Sequence, residues 1–301
     1  MPIPVLSLPI SDLQYALNCM EIEELIAFSL CSKQTKNLAK SSNRTIKSGA
    51  EIDENIIRLD LFVFRLRWFK KKIRFSVREG SSIELHRGNG IKLLTKEGYT
   101  QSDWIAHLLS FSDSKVLDLK IKHVPSIAYL DTVRQLFPKC EILQIGENCS
   151  IEITKAAVSK FLSDVEGIDI ESNSFNDENH ISQFLNLNSK MLLLRNWENP
   201  HKVDLNDLSL ANSAKLTISA DITEKELNRF LKLWMKSNHT FFRPENMKFY
   251  LSREINSEEV LRRIKYQTVD HILQKRRLKR EDGKELLISI GEKEVAFEFK
   301  G

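Results

Sequence analysis

Residues 140–173 read CEILQIGENCSIEITKAAVSKFLSDVEGIDIESN, and this stretch decides how the rest of the chain is interpreted. Two short segments within it, Leu143-Gln144-Ile145 and Ile168-Asp169-Ile170, alternate apolar and polar residues as strands do. Between them, Val158 and Phe161 are three positions apart, which is the spacing of one helix face. The stretch therefore predicts strand, helix and strand, and strands joined by a crossover of this length run parallel.

The same unit recurs on both sides of this stretch. The last residues of successive strands advance by 26, 25, 24 and 24 positions: Leu119, Ile145, Ile170, Leu194 and Ile218. A second track, in the intervening helices, advances by 24, 24, 23 and 23 positions: Phe137, Phe161, Leu185, Leu208 and Leu231. Because two tracks keep nearly the same period, they indicate a repeated strand–helix unit.

A strand and a helix every ~24–26 residues is the period of leucine-rich-repeat proteins, and it predicts a leucine-rich-repeat-like β/α solenoid. The asparagine that follows the strand in such repeats is present at Asn148 and Asn173, and Asp221 has the equivalent offset. Lys122 and Trp197 interrupt this pattern. The alternative is a non-repetitive α/β domain whose strand–helix units have similar lengths. In a solenoid, the polar strand face is typical of macromolecule binding.

A β-rich stretch precedes the repeats. Its first strand alternates in two sets, which are Ile57, Leu59, Leu61 and Val63 on one side and Phe62, Phe64, Leu66 and Trp68 on the other. Asn89-Gly90 predicts a hairpin turn between two further strands. No Lys-Ser or Lys-Thr follows this glycine-rich turn, so we do not interpret it as a phosphate-binding loop.

The C-terminal third predicts a helix and then a meander. Residues 223–237 form the clearest helical pattern, with Thr223 and Glu226 as a capping box. Three segments separated by turn residues predict a three-stranded meander: Ile272–Arg280, Glu285–Ile290 and Glu294–Phe299. Four basic residues lie on its first segment, and we interpret them as charges that protect a sheet edge: Arg276, Arg277, Lys279 and Arg280.

The first forty residues predict three short helices. The first helix has an apolar stripe of Leu13, Ala16, Leu17 and Met20, and the second has one of Ile22, Leu25, Ile26 and Ser29. Ser11 and Gln14 suggest a capping box at the start of the first helix, and Ile10 and Tyr15 suggest a hydrophobic staple. Ser32 is placed to cap a third helix that extends through Leu38. A unit of roughly forty residues rarely buries such a surface alone. Such a segment must dock on the rest of the chain or on a partner, and we expect the stripes to stay bare until a second polypeptide covers them.

Leu8-Pro9, the apolar positions behind it and Leu30-Cys31-Ser32-Lys33 together resemble an F-box over roughly residues 5–43. The resemblance implies docking on a Skp-type adaptor and, through it, on a cullin-based ubiquitin ligase. It assigns seven adaptor-binding positions: Leu8, Pro9, Leu13, Leu17, Leu25, Leu30 and Lys33. Many F-boxes carry a large residue after the Ser-Lys pair, where this chain has Gln34-Thr35-Lys36.

A second resemblance lies in the repeats. Leu205–Ser219 and the run from Glu226 to Trp234, which includes Leu-Asn-Arg-Phe-Leu-Lys, resemble the nematode F-box-associated domain of the second type. The resemblance covers roughly residues 179–264. An F-box followed by this domain is typical of a large nematode family of substrate receptors. The resemblance carries over no target site, so the target-binding residues are unknown.

These observations predict an α/β fold with four parts. They are an F-box-like helical module at 1–45, a β-rich linker or cap at 46–100, leucine-rich-repeat-like repeats at 101–265 with the F-box-associated region at about 179–264, and a β-meander at 266–301. With 301 residues, 42% of them hydrophobic and 29% charged, the chain is long and apolar enough to be globular rather than disordered. Its apolar runs fall short of the ~18–20 residues that a membrane helix needs.

The composition favours an intracellular binding protein over an enzyme. A net charge of +4 is too small to indicate a dedicated nucleic-acid binder. The four cysteines have no pairing motif, which favours reduced thiols in the cytoplasm or nucleus. The sequence has no zinc spacing, Walker loop or nucleophile elbow, so we expect no catalytic residues, metal or cofactor. We expect each of the seven histidines to be solvated at the surface.

The sequence therefore favours a substrate-recognition subunit of a Skp-cullin-F-box type ubiquitin ligase, with protein degradation as its outcome. In that interpretation the N-terminal helices bind the adaptor and the repeats bind an unknown target protein. One alternative is a leucine-rich-repeat-like scaffold without a ligase role, in which the helices cap the solenoid. Another is an enzyme or nucleic-acid binder that uses the basic C-terminal strand.

Overall fold

The structure is a computed structural model of the 301-residue chain. The chain divides into two compact units, Met1–Glu141 and Ile142–Gly301. The structure describes residues 5–42, 44–65, 69–88, 90–113, 115–171, 180–203, 208, 210–236, 243–270 and 274–300.

The first unit is a helical module followed by a mostly antiparallel sheet. Its helices are α1 Ile10–Cys19, α2 Ile22–Ser29, α3 Lys33–Lys40, α4 Gln101–Leu109 and α5 Tyr129–Leu136. Its strands are β1 Thr45–Asp53, β2 Ile56–Arg65, β3 Phe69–Val77, β4 Ser82–Arg87, β5 Gly90–Thr95 and β6 Val116–His123. The strand order is β5-β4-β3-β2-β1-β6, and only the β1–β6 pair is parallel.

Alternation along β2 determines which face of this sheet is buried. The residues of the first predicted set are all buried, which confirms the inward face: Ile57, Leu59, Leu61 and Val63. Phe62 and Phe64 point the other way and are half-buried and exposed, respectively, while Leu66 and Trp68 lie outside the described residues. The predicted hairpin is confirmed by the pairing of β4 with β5, although Asn89 itself lies outside the described residues.

Three residues of the body, His107, Lys71 and Lys96, hold α2 and its ends through polar contacts. The Ser29 hydroxyl lies 2.8 Å from Nε2 of His107 on α4. Lys71 on β3 forms ion pairs with Glu21 and Glu23 at 2.7 and 3.0 Å. Lys96 Nζ donates to the Leu30 carbonyl at 2.7 Å.

His107 is 1% exposed, which corrects the expectation that the histidines are solvated. Ser29 Oγ lies 2.6 Å from the Ile26 carbonyl and donates to it, so it accepts a hydrogen bond from protonated Nε2 of His107. Burial, with smaller contributions from Lys36, Lys40 and Lys96, lowers the pKa of His107 to about 4. His201 in the second unit is also buried, and burial lowers its pKa to about 4. His239 and His271 lie outside the described residues.

The second unit combines parallel strand–helix units with an antiparallel end. Its helices are α6 Ile151–Phe161, α7 His180–Leu185, α8 Glu224–Lys236 and α9 Ser257–Val260. Its strands, with β7 beginning at the end of the first unit, are β7 Cys140–Ile145, β8 Gly167–Glu171, β9 Met191–Arg195, β10 His201–Lys202, β11 Lys215–Asp221, β12 Asn246–Leu251, β13 Gln267–Asp270, β14 Lys275–Lys279, β15 Glu285–Ile290 and β16 Glu294–Lys300. The strand order is β7-β8-β9-β11-β12-β16-β15-β14-β13, with β10 beside β11.

Both periodic tracks are confirmed as core. β7, β8, β9, β11 and β12 pair in parallel and in register, so the predicted strand ends lie side by side. Every residue of the two tracks is buried: Leu119, Phe137, Ile145, Phe161, Ile170, Leu185, Leu194, Leu208, Ile218 and Leu231. The capping box of α8 is also confirmed, with Glu226 N–H donating to Thr223 Oγ1 at 3.2 Å and Thr223 N–H donating to Glu226 at 2.6 Å.

The asparagine positions of the predicted repeat do not form a buried ladder. Asn148 and Asp221 are exposed, and Asn173 lies outside the described residues. The neighbouring Cys149 is buried instead, and burial raises the pKa of its thiol to about 11. The leucine-rich-repeat signature is therefore wrong at these turns, although the strand–helix period is correct.

The C-terminal sheet has one strand more than expected. β14, β15 and β16 form the predicted antiparallel meander, but β13 pairs with the outer side of β14. The basic residues of β14 therefore lie on an interior strand and do not protect the sheet edge. Arg280, just beyond β14, is buried, forms an ion pair with Asp282 and donates to the Trp234 carbonyl at 3.3 Å.

Across the described residues, no helix has the length and apolar character required to span a membrane.

Two leucines on α8 test whether the helix track holds the second unit together. Leu231 is buried, whereas Leu233 is half exposed on the same helix. We expect Leu231→Ala to lower the free energy of unfolding by about 2–5 kcal/mol, because it leaves a cavity in the core. Leu233→Ala is the matched control and should change it by less than about 1 kcal/mol. Equal effects in urea unfolding would contradict the assignment of the helix track to the core.

His107 predicts a specific pH dependence of stability. Its folded pKa of about 4 lies below the ordinary value of 6.5, so its contribution is complete above pH 6.5 and declines as the pH falls towards 4. Between pH 7.5 and pH 5, we expect the wild type to lose about 2 kcal/mol of unfolding free energy relative to His107→Gln. His123→Gln, at a partly exposed histidine, is the control and should follow the wild type. A stability difference between wild type and His107→Gln that does not change with pH would refute this role.

Candidate functional site

The ends of the N-terminal helices are fixed by local hydrogen bonds. The guanidinium of Arg44 donates to the Asn18 carbonyl at 2.9 Å and also contacts the Met20 carbonyl, so it satisfies C-terminal carbonyls of α1. Ser32 caps α3 as predicted, accepting from Thr35 N–H at 3.1 Å. At α2, the backbone N–H of Glu21 donates to Glu24 at 2.7 Å in a capping box that the sequence interpretation missed.

The N-terminus of α1 differs from the expectation. Its N-cap is Pro9, and no side-chain cap involving Ser11 and Gln14 forms. Ile10 and Tyr15 do not form a buried staple, because they are 86% and 74% exposed. On a helical projection Tyr15 lies opposite the buried Leu17, so sequence spacing alone points it towards solvent.

The apolar stripes are largely covered by the chain itself, which corrects the expectation that they stay bare. Leu17 is buried, as are Ile22, Leu25 and Ile26. The physical reason is the docking of α2 on the body through Ser29, Leu30 and the Glu21–Glu23 corner. Leu17 and Leu25 therefore lie in the interior and are not open to a partner.

The other predicted adaptor-binding residues lie at or near the surface. Pro9 and Lys33 are exposed, while Leu8, Leu13 and Leu30 are half-buried. Leu6, Ile10 and Tyr15 add exposed apolar area on the N-terminal side of the module. Among the described N-terminal residues, the exposed apolar side chains are thus concentrated around α1. We call Leu6, Pro9, Ile10 and Tyr15 the α1 surface.

The third helix carries a patch of positive charge on this module. Lys33, Lys36 and Lys40 lie on α3 at positions i, i+3 and i+7, with no acidic residue on the helix. Burial, followed by the neighbouring charge of Lys40, lowers the pKa of Lys36. A partner that covers this module is therefore favoured when it combines an apolar groove with acidic residues.

The polar strand face of the second unit carries a second cluster. Arg195 on β9 donates to Asp169 at 2.7 Å and to Glu171 at 2.8 Å, and the hydrogen bond to Asp169 is the main reason that the pKa of Arg195 is raised. Lys248 Nζ lies 4.5 Å from the centre of the Tyr250 ring. The centre of the largely exposed Trp197 ring is 5.0 Å from that of Tyr250.

Both clusters include exposed apolar or aromatic side chains together with charged residues. Within the residues that the structure describes, no group of three or more histidine, cysteine, aspartate or glutamate side chains is placed to hold a metal ion. The four cysteines form no disulfide, and Cys19 and Cys31 are exposed whereas Cys140 and Cys149 are buried. Aromatic and arginine side chains on an exposed face are typical of protein-binding hot spots.

Comparison with known families locates two domains on this framework. The F-box domain model matches residues 5–47, which are α1–α3 and the start of β1. The model described as F-box associated matches residues 180–241, from α7 to just beyond α8, and so covers the first part of the expected 179–264 region. The β-hairpin of β4 and β5 lies outside both matches.

One curated relative matches almost the whole chain. The F-box associated domain-containing protein sdz-33 of Caenorhabditis elegans is 25% identical over 279 residues, which cover 90% of this chain and 86% of the relative. No solved structure matches the chain. The two domain matches, in this order and together with this relative, support a nematode-type F-box protein with an F-box-associated domain.

Proposed function

We propose that this chain is a substrate-recognition subunit of a Skp-cullin-F-box type ubiquitin ligase. F-box domains generally bind a Skp-type adaptor, and F-box and F-box-associated domains are typically non-enzymatic recognition modules. The observation that carries the proposal is the exposure of Ile10 and Tyr15 on a helical module whose other apolar stripes are buried. Such exposed side chains are suited to insertion into an apolar groove of a partner.

The adaptor would cover the α1 surface. Pro9 sets the entry of α1, and Leu8, Leu13 and Leu30 would contribute their partly exposed atoms at the margin. Leu17 and Leu25 would act only indirectly, by fixing the orientation of α1 and α2 from the interior. Lys33, with the other lysines of α3, would add long-range attraction to acidic groups on the adaptor. The cullin would be reached through the adaptor and would make no contact of its own with these residues.

The target would bind to the strand face of the second unit. We propose that the parallel strand–helix units form a leucine-rich-repeat-like arrangement, which is supported by the register of β7, β8, β9, β11 and β12 and by the two buried tracks. Trp197 and Tyr250 on that face would anchor the target, framed by the ion pairs of Arg195 and Lys248. Delivery of the target for degradation, in the cytoplasm or nucleus, follows from this role.

A scaffold without a ligase role is the second candidate, and one set of contacts favours it. Ser29, Leu30 and Glu21 are anchored to His107, Lys96 and Lys71, as expected of helices that cap the body of the chain. A cap of that kind needs no exposed apolar anchors, because its outer face is polar. The exposure of Ile10 and Tyr15 therefore favours the adaptor-binding role.

Substitution of the α1 surface tests the proposal. Ile10→Asp and Tyr15→Ala alter exposed side chains, so we expect the chain to stay folded. Each should weaken binding to a purified Skp-type adaptor by about tenfold or more, because a hot-spot side chain contributes about 1.4 kcal/mol or more to an interface. Isothermal titration calorimetry would measure the change.

Trp197→Ala is the matched control, since it also removes an exposed aromatic side chain but lies on the proposed target-binding face. It should leave adaptor affinity unchanged. Wild-type affinity in both α1 variants, or no measurable binding by the wild type, would refute the adaptor-binding role and leave the scaffold as the better account.

A further inference from the structure

The outer edge of the first sheet has an unusual surface. β5 is the last strand of its sheet order in the described part of the chain. Ile91 and Leu93 on this strand are 65% and 59% exposed, and they point to the same face because they are two residues apart. Exposed edge strands are normally shortened, bulged or covered, because their backbone groups can pair with another chain.

The hydrogen-bond pattern shows which backbone groups face outward. Lys96 N–H donates to the Ser81 carbonyl at 2.9 Å, and this pair continues the register of β4 with β5. In an antiparallel pair, alternate residues direct their N–H and C=O groups to the neighbouring strand. Lys92 and Leu94 therefore bond towards β4, while Ile91, Leu93 and Thr95 direct their backbone groups away from the sheet.

The charge of this hairpin restricts the occupant. Residues 87–96 include Arg87, Lys92 and Lys96 and no aspartate or glutamate, whereas Glu84 lies on the neighbouring strand β4 and Glu97 follows the segment. Arg87 and Lys92 are exposed and form no ion pair with any residue that the structure describes. An added strand with carboxylates would be attracted to this edge, and one with cations would be repelled.

The same charges disfavour a second copy of this chain. Antiparallel pairing of two β5 strands that sets Ile91 opposite Leu93 also sets Lys92 opposite Lys92 of the other copy. Like charges directly opposite each other destabilise a strand pair. In that register, the edge is therefore better suited to a foreign acidic segment than to self-association.

We propose that β5 is a docking edge that binds an extended acidic–apolar segment of a partner protein by strand addition. Apolar side chains of the segment lie beside Ile91 and Leu93 on one face. Its carboxylates lie beside Lys92 on the other face, since successive residues of a strand alternate between faces. Hydrogen bonds to the outward N–H and C=O groups of Ile91, Leu93 and Thr95 supply affinity. This edge is independent of adaptor binding and of the proposed target face.

A short synthetic peptide that alternates valine with glutamate is the direct probe. Fluorescence anisotropy with the full chain should show saturable binding that weakens as salt concentration rises. The same peptide with N-methyl groups on alternate amides, or with lysine in place of glutamate, should bind about tenfold or more weakly. Equal binding of the N-methylated peptide would overturn strand addition.

Variants of the edge complete the test. Leu93→Pro removes an outward N–H but leaves the bonds to β4, and proline is tolerated on edge strands. We expect it to weaken peptide binding about tenfold or more, while Leu93→Val, which keeps the N–H and an apolar side chain, binds as the wild type does. Lys92→Glu should also weaken binding. Wild-type affinity in Leu93→Pro would overturn the proposal, as would dimerisation through this edge in sedimentation without peptide binding.

Discussion

Leu17, Leu25 and Ile26 are buried within the chain itself, and this packing constrains everything that the N-terminal helices can do. Because the strongest apolar positions of α1 and α2 hold the module together and fix it to the body, they cannot also enter a groove on a partner. The exposed side chains at the start and on the outer side of α1, of which Ile10 and Tyr15 are the most exposed, are those that the proposed adaptor would cover. The helices thus have a buried structural face and a separate exposed face.

The same separation of faces organises the second unit. The apolar residues of the parallel strands are buried on one side with Phe161, Leu185 and Leu231, which are essential for the core. The polar side holds Arg195 between Asp169 and Glu171, and Trp197 against Tyr250. A period of about 24 residues thereby places polar and aromatic side chains on one face without disturbing the packing on the other.

Long-range periodicity made the core of the repeats predictable from sequence. The two tracks identified buried residues correctly because burial of apolar side chains is the same physical requirement in every unit. The prediction that Asn148 and Asp221 belong to a buried ladder at the turns was wrong, because such a ladder depends on local backbone geometry that residue spacing does not reveal. The burial of His107 and the exposure of Ile10 depend on which elements pack together, and the pattern of a single helix carries no such information. Tyr15 was expected to pack against Ile10 in a staple, and its exposure corrects that expectation, although its position opposite Leu17 on the helix favours solvent.

Hydrogen–deuterium exchange of the full chain, alone and with a purified Skp-type adaptor, tests the separation of faces most directly. We expect amides of α2 around Leu25 and Ile26 to be protected already in the free chain, with little change on binding. Backbone amides at the start of α1 and in the residues beside it, around Ile10, should gain protection from exchange when the adaptor is added. Rapid exchange of α2 in the free chain, followed by strong protection only in the complex, would contradict the claim that the chain covers its own apolar stripe.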